Sequence, residues 1–195
     1  MTQSGISLIA GLGNPGNQYA ETRHNVGFWF LERMQTEFRF QMSLEKKFKA
    51  AIGSFSFENK QIRVVSPHTF MNLSGQSVAP LAAFYRIEPA QILVVHDELD
   101  LQPGVVRLKS GGGHGGHNGL RDIIPKVGSA EFLRLRIGIG HPGTGRDVSG
   151  YVLGKPNRSD QALIEDSIDR IIRLMPEVLS GKYQKAMNEL HSSSK

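Results

Sequence analysis

The residues of this chain that could do chemistry sit in turns. Thr22-Arg23-His24-Asn25-Val26-Gly27 sets a histidine beside an asparagine, just after the glycine loop Gly11-Leu12-Gly13-Asn14-Pro15-Gly16. A second histidine–asparagine pair lies far along the chain, in Gly116-His117-Asn118-Gly119. Asp97 closes the apolar run Ile92-Leu93-Val94-Val95. A carboxylate that pairs with a histidine fixes its tautomer and stabilises its protonated form, which suits a general base near neutral pH. His24 is the candidate base and Asp97 its support. A lone histidine is more often structural, and the available carboxylate is what favours the catalytic reading.

The chain has no G-x-S-x-G elbow and no cysteine, so a covalent route through serine has no motif to support it and a thiol route is closed. An Asp–His pair without a nucleophile points to an activated water. The amides of Asn14, Asn72 and Asn118 can hold that water or donate to a developing oxyanion. Each asparagine taken singly is equally at home in an Asx turn. His117 carries no assigned role at this level.

Two rival chemistries use the same stretches. His96-Asp97-Glu98-Leu99-Asp100 clusters carboxylates with a histidine, as a divalent-metal site would. Alternate strand residues point to opposite faces, which argues against the cluster, and the expectation is no metal. Gly11-x-Gly13-x-x-Gly16 after a strand matches a dinucleotide fingerprint. Pro15 stiffens the turn where a helix should present free N–H groups, and Phe38-Arg39-Phe40 offers no ribose-binding carboxylate. The blander reading, a tight turn that exposes Asn14 at the strand's C-terminal edge, is preferred.

These groups need a scaffold, and the apolar pattern supplies one. Ile6 to Ala10 and Ile92 to Val95 read as buried strands. Phe48 to Phe57 and Gln61 to Ser66 read as a hairpin around Glu58-Asn59-Lys60. Val105 to Lys109 is a further strand, and Phe132 to Ile139 is one with a basic face. Helices are expected over Asn25 to Phe38, over Ser74 to Arg86 with Ser74 as cap, and over His117 to Val127 with Pro125 ending or kinking it. Ser159 to Met175 is an amphipathic helix, with a last helix after Pro176. Interleaved strands and helices predict a single α/β domain over 1–195, a twisted mixed sheet with helices on both faces. Gly111 to Gly116, five glycines in six positions, is no helix or strand and reads as a lid or a surface for close ligand approach. The polar loop from His141 to Gly150 is expected to be mobile.

Length fits one domain with a real core. A formal charge of +5 gives a modest field favouring polyanions such as nucleic acid. Absent cysteines suit a reducing compartment. With no membrane-length apolar run and no signal-peptide pattern, the expectation is a cytoplasmic protein without membrane association.

The motifs G-L-G-N-P-G-x-x-Y-x-x-T-R-H-N-x-G (Gly11 to Gly27), T-F-M-N-x-S-G (Thr69 to Gly75), H-D-E-L-D (His96 to Asp100) and G-G-H-N-G-L-R-D (Gly115 to Asp122) occur in this order. In them the chain resembles bacterial-type peptidyl-tRNA hydrolases, from Ile6 to about Leu190. His191 to Lys195 carry no such motif and are read as a tail. The resemblance implies hydrolysis of the ester between a peptide and the 3′-terminal ribose of tRNA, by a usually monomeric enzyme with no metal or organic cofactor. It implies that His24 is the base, Asp97 its supporting carboxylate, and Asn14 a residue linked to preference for N-blocked over free aminoacyl-tRNA. It implies that Asn72 and Asn118 bind substrate and position water. Tyr19 and Phe70 fall at positions linked to the tRNA 3′ end, with Met71 beside them. Lys109 and Arg136 are expected as phosphate clamps. A non-catalytic RNA-binding module is the alternative on the residues alone.

Overall fold

A computed structural model describes residues 5–192. Its centre is a seven-stranded sheet in the order β2-β3-β4-β1-β5-β7-β6. The strands are β1 (Leu8–Gly11), β2 (Met42–Glu45), β3 (Ala50–Phe57), β4 (Lys60–Pro67), β5 (Ile92–Glu98), β6 (Val106–Ser110) and β7 (Leu133–Gly138). β4, β1, β5 and β7 run parallel, while β2–β3, β3–β4 and β6–β7 pair antiparallel. The sheet is therefore mixed, as expected.

The helices are α1 (Val26–Phe38), α2 (Gly75–Phe84), α3 (Asn118–Val127), α4 (Val148–Val152), α5 (Arg158–Leu179) and α6 (Tyr183–Ser192). They cover both faces. Ile9, Leu93, Val95 and Leu135 meet α1, α5 and α6 in one buried cluster, and Leu8, Ala10, Ile92 and Val94 meet α2 and α3 in another. Strand residues alternate between the two clusters because side chains have a period of two. Both faces being dry, β1 and β5 read as unbroken apolar runs.

Glycines let α1 lie close to β1. A Cβ on Gly27 would come within 2.4 Å of the Leu12 backbone, and one on Gly11 within 2.6 Å of the Gly27 carbonyl. The first glycine loop thus serves helix–strand packing. It leads into short 3-10 turns at Asn17–Tyr19 and Arg23–Asn25 rather than directly into a helix.

Several local expectations are corrected. The β3–β4 turn is Glu58-Asn59 alone, both at positive φ, 45° and 62°, and Lys60 already belongs to β4. That is the backbone a two-residue hairpin turn demands. Ser74 does not cap α2: its backbone is already helical and its hydroxyl donates to the Met71 carbonyl at 2.7 Å. The Asp122 carboxylate of α3 accepts from the Gly75 N–H instead, at 2.8 Å. Pro125 and Pro176 both lie inside helices, which end past them at Gly128 (φ 80°) and before Gly181 (φ 77°). Burial of Met175, Val178 and Leu179 on both sides of Pro176 outweighs one lost backbone bond. The polar loop after His141 becomes helical at Val148. Of the expected tail, His191 and Ser192 form the end of α6, and the remainder lies outside the described residues.

Candidate active site

The parallel strands deliver the chemical groups to one edge. Chain leaving β1 brings Asn14, chain leaving β4 brings Phe70, Met71 and Asn72, and β5 carries Asp97 just before its end at Glu98. Open α/β sheets bind ligands at this C-terminal edge. A cleft of about 400 Å³ lies there, and Asn14, His24, Phe70, Met71, Asn72, Asp97 and Asn118 all line it.

Asp97 is buried at the centre and receives two histidines. The His24 Nδ1–H donates to both carboxylate oxygens at 2.9 Å. The His117 Nε2–H donates to Oδ1 at 2.8 Å. His117 is the N-cap of α3, and its Nδ1 accepts from the N–H groups of Gly119 and Leu120 at 3.1 and 3.4 Å. Helix capping therefore fixes the His117 tautomer, with the proton on Nε2 facing Asp97. His24 differs: its Nε2 has no partner among the described residues, and the ring lines the cleft.

The electrostatics reflect this arrangement. Burial pushes the Asp97 carboxyl up, but the charges and hydrogen bonds of His24 and His117 outweigh it and hold the group far below the usual carboxylate range. Burial pushes His24 down, yet the charge and hydrogen bond of Asp97 prevail, and its pKa is raised above the ordinary 6.5. His96, on the other face of β5, donates from Nδ1 to the Asp97 carbonyl at 2.7 Å. Its burial pushes it down to about 3, so it is neutral. The ring packs edge-on against His117 at 4.8 Å.

The rival metal cluster from His96 to Asp100, disfavoured in the sequence, does not converge. Glu98 pairs with Arg136 at 2.9 Å and accepts from the Asp100 N–H at 3.1 Å. Among the described residues, the side chains that could hold a metal together are His24, Asp97 and His117, with ligand atoms within 4.8 Å of one another. Those atoms are already joined by hydrogen bonds of 2.8 and 2.9 Å. An ion ligated at about 2.0–2.2 Å would have to replace both bonds.

Asn14 is held on three sides. Its N–H donates to Asn25 Oδ1 at 2.8 Å, its carbonyl accepts from Asn25 Nδ2 at 2.9 Å, and its Oδ1 accepts from the Met71 N–H at 2.7 Å. With Oδ1 engaged, the side-chain amide is oriented and Nδ2 is left as a donor. Arg23 anchors the same turn from outside by donating to the carbonyls of Tyr151 and Lys155 at 3.2 and 3.1 Å, its guanidinium lying over the Tyr151 ring.

The family model described as peptidyl-tRNA hydrolase matches residues 8–195, beyond the point where the motifs fade. A peptidyl-tRNA hydrolase of Pseudomonas paraeruginosa is 54% identical over 188 residues, covering 96% of this chain and 97% of its own. One of Acinetobacter baylyi is 52% identical over 189 residues, covering 97% of each. The chain belongs to the peptidyl-tRNA hydrolase family. The crystal structure of the Acinetobacter baumannii peptidyl-tRNA hydrolase superposes with a TM-score of 0.93 at 50% identity, over 96% of this chain and 95% of that one. The protein is thus an enzyme that hydrolyses peptidyl-tRNA.

The other residues singled out for this peptidyl-tRNA hydrolase divide into two groups. Phe70 is 56% exposed at the rim, with the Tyr19 ring edge-on to it at 6.3 Å. Asn72 and Asn118 are exposed in the cleft, and Asn118 Oδ1 accepts from Arg121 at 3.1 Å. Met71, set beside Tyr19 and Phe70 in the sequence reading, is 4% exposed and packs in the core. Lys109 and Arg136 do not line the cleft. Both lie on the α3 face of the sheet, as does Arg134, which is buried and donates to the carbonyls of Gly112 and Gly113. The expected basic face of β7 is therefore engaged internally. Gly111, Gly112, Gly115 and Gly116 all take positive φ, which explains the glycine run, and its end lines the cleft. The sequence reading missed the His117–Asp97 bond and the apolar residues Leu99, Val148, Val152 and Leu153 that line the same cleft.

Proposed function

We propose that the enzyme cleaves the ester joining the peptide to the 3′-terminal ribose of tRNA by direct attack of water, with His24 as general base. The supporting observation is the division of the His24 ring, with Nδ1 held by Asp97 at 2.9 Å and Nε2 free in the cleft. Water hydrogen-bonded to Nε2 gives up a proton to it while its oxygen bonds to the ester carbon. Asp97 stabilises the imidazolium. As the tetrahedral intermediate collapses, that proton passes to the departing ribose oxygen. The Asn14 Nδ2, with the Asn72 and Asn118 amides, supplies hydrogen bonds to the water and the developing oxyanion.

Asn14 also supports selectivity for N-blocked substrates. Its Oδ1 is engaged by Met71, so it faces substrate as a donor. A peptide carbonyl can accept from it, whereas the free ammonium of an aminoacyl-tRNA offers only donors. The apolar wall at Val148 and Leu153 suits peptide side chains, and Phe70 with Tyr19 suits stacking on the unpaired bases of the CCA end. Lys109, exposed and without an ion pair among the described residues, would contact acceptor-stem phosphate, while Arg136 would have to share its guanidinium with Glu98. Work in the reducing cytoplasm suits a chain without cysteine, and the enzyme would act there as a monomer.

Turnover of peptidyl-tRNA by His24→Ala is the test. A loss of about a hundred-fold or more is expected for removal of a general base. Near-normal turnover would overturn the assignment.

A further inference from the structure

Asn25 was notable in the sequence only as the neighbour of His24, yet it is 1% exposed. Both ends of its amide bind the backbone of Asn14, at 2.8 and 2.9 Å, in a two-point pairing across eleven residues. The pair also borders a second cleft, of about 370 Å³, which Asn14 and Asn25 line together with Phe28, Glu32, Ser66 and His68. Asn14 lines both clefts, whereas Asn25 lines the second alone. Three hydrogen bonds fix where Asn14 sits, two of them from the Asn25 amide. Asn25 also closes the 3-10 turn that carries His24 and precedes α1.

We propose that Asn25 is a positioning residue for substrate selection: it locks the Asn14 backbone so that the Asn14 amide presents only its donor to the acyl group, in fixed register with His24. The inference rests on Asn14 being the group that recognises an N-blocked acyl chain. Asn25 itself touches no substrate. It acts through the chain it holds, and one side chain sets the spacing of base and selector because it shares a turn with the first and binds the second.

A double-mutant cycle separates this role from a merely structural one. The readout is the ratio of kcat/KM for N-acetyl-aminoacyl-tRNA to that for the free aminoacyl-tRNA, measured alongside thermal unfolding. Asn25→Ala is expected to lower the ratio about ten-fold, the scale of one or two buried hydrogen bonds. On an Asn14→Ala background the same change is expected to have almost no further effect on the ratio. The acid limb of the pH profile should stay in place, because the His24–Asp97 bond does not run through Asn25. Asn25→Asp is the second variant should the alanine protein not fold. It keeps an acceptor for the Asn14 N–H and loses the donor to the Asn14 carbonyl, so an intermediate fall is expected. An unchanged ratio in Asn25→Ala or Asn25→Asp, with Asn14→Ala having lowered it, would overturn the proposal. So would equal effects of Asn25→Ala in the two backgrounds. If Asn14→Ala itself leaves the ratio unchanged, the reading of Asn14 as selector fails, and the positioning role falls with it.

Discussion

The same dipeptide, His-Asn, occurs on both sides of Asp97 and is used in opposite ways. In the first turn, the His24 ring keeps Nε2 free while Asn25 is locked on the Asn14 backbone. In the second, both ring nitrogens of His117 are engaged, one by the α3 N-terminus and one by Asp97, while Asn118 stands exposed in the cleft. The contrast arises from how each turn joins its helix. The first is itself a 3-10 turn running into α1, with no side-chain cap, so no helix N–H claims the imidazole. The second opens α3 directly, and the helix takes Nδ1. Residue type alone does not make a base, which needs one nitrogen held and the other left open.

Substitutions can break this contrast. The largest effect beyond loss of His24 itself is expected for Asp97→Asn, which removes the charge that both turns share. Turnover should fall by about a hundred-fold or more, with KM little changed, because the ring loses its fixed tautomer and its stabilised charge. A change in KM alone would place Asp97 in binding. A smaller loss, about ten-fold in turnover, is expected for His117→Ala, from one hydrogen bond to a charged group. This variant also loses a helix cap, which costs about 0.5–2 kcal/mol in unfolding measurements. His117→Asn should restore the cap and hence the melting temperature, but not turnover, since asparagine does not reach Asp97. If His117→Ala matches His24→Ala in turnover, the two turns are not different in kind. The smallest effect is expected for Asn118→Ala, a fall in kcat/KM of about five-fold with unchanged melting temperature, the scale of one exposed hydrogen bond.

Much of the scaffold was legible in the sequence because buried parallel strands announce themselves as apolar runs ending in glycine or acid. The family and the main cleft residues were legible because their motifs are local. What resisted reading depends on tertiary partners. Ser74 looks like a cap until Asp122 takes that position. Pro176 looks like a helix stop until the packing around Met175 and Leu179 is seen. Arg136 looks like a free phosphate ligand until Glu98 is found beside it. Met71 and Phe70 look alike in the sequence, but only one faces water. The His117–Asp97 bond spans twenty residues between separate elements, and only the helix cap at His117 carried a local signal.

The central claim is that Asp97 sets the His24 imidazole as the base. Its most direct test is an NMR titration of the His24 ring, set against the pH dependence of kcat/KM. The ring is expected to titrate above the ordinary 6.5, since Asp97 outweighs burial. Activity should rise through that same pH as the ring loses its proton. In Asp97→Asn only burial remains, so both the titration and the residual activity limb should move to lower pH. A His24 titration that fails to coincide with the activity limb, or that stays in place in Asp97→Asn, would contradict the account.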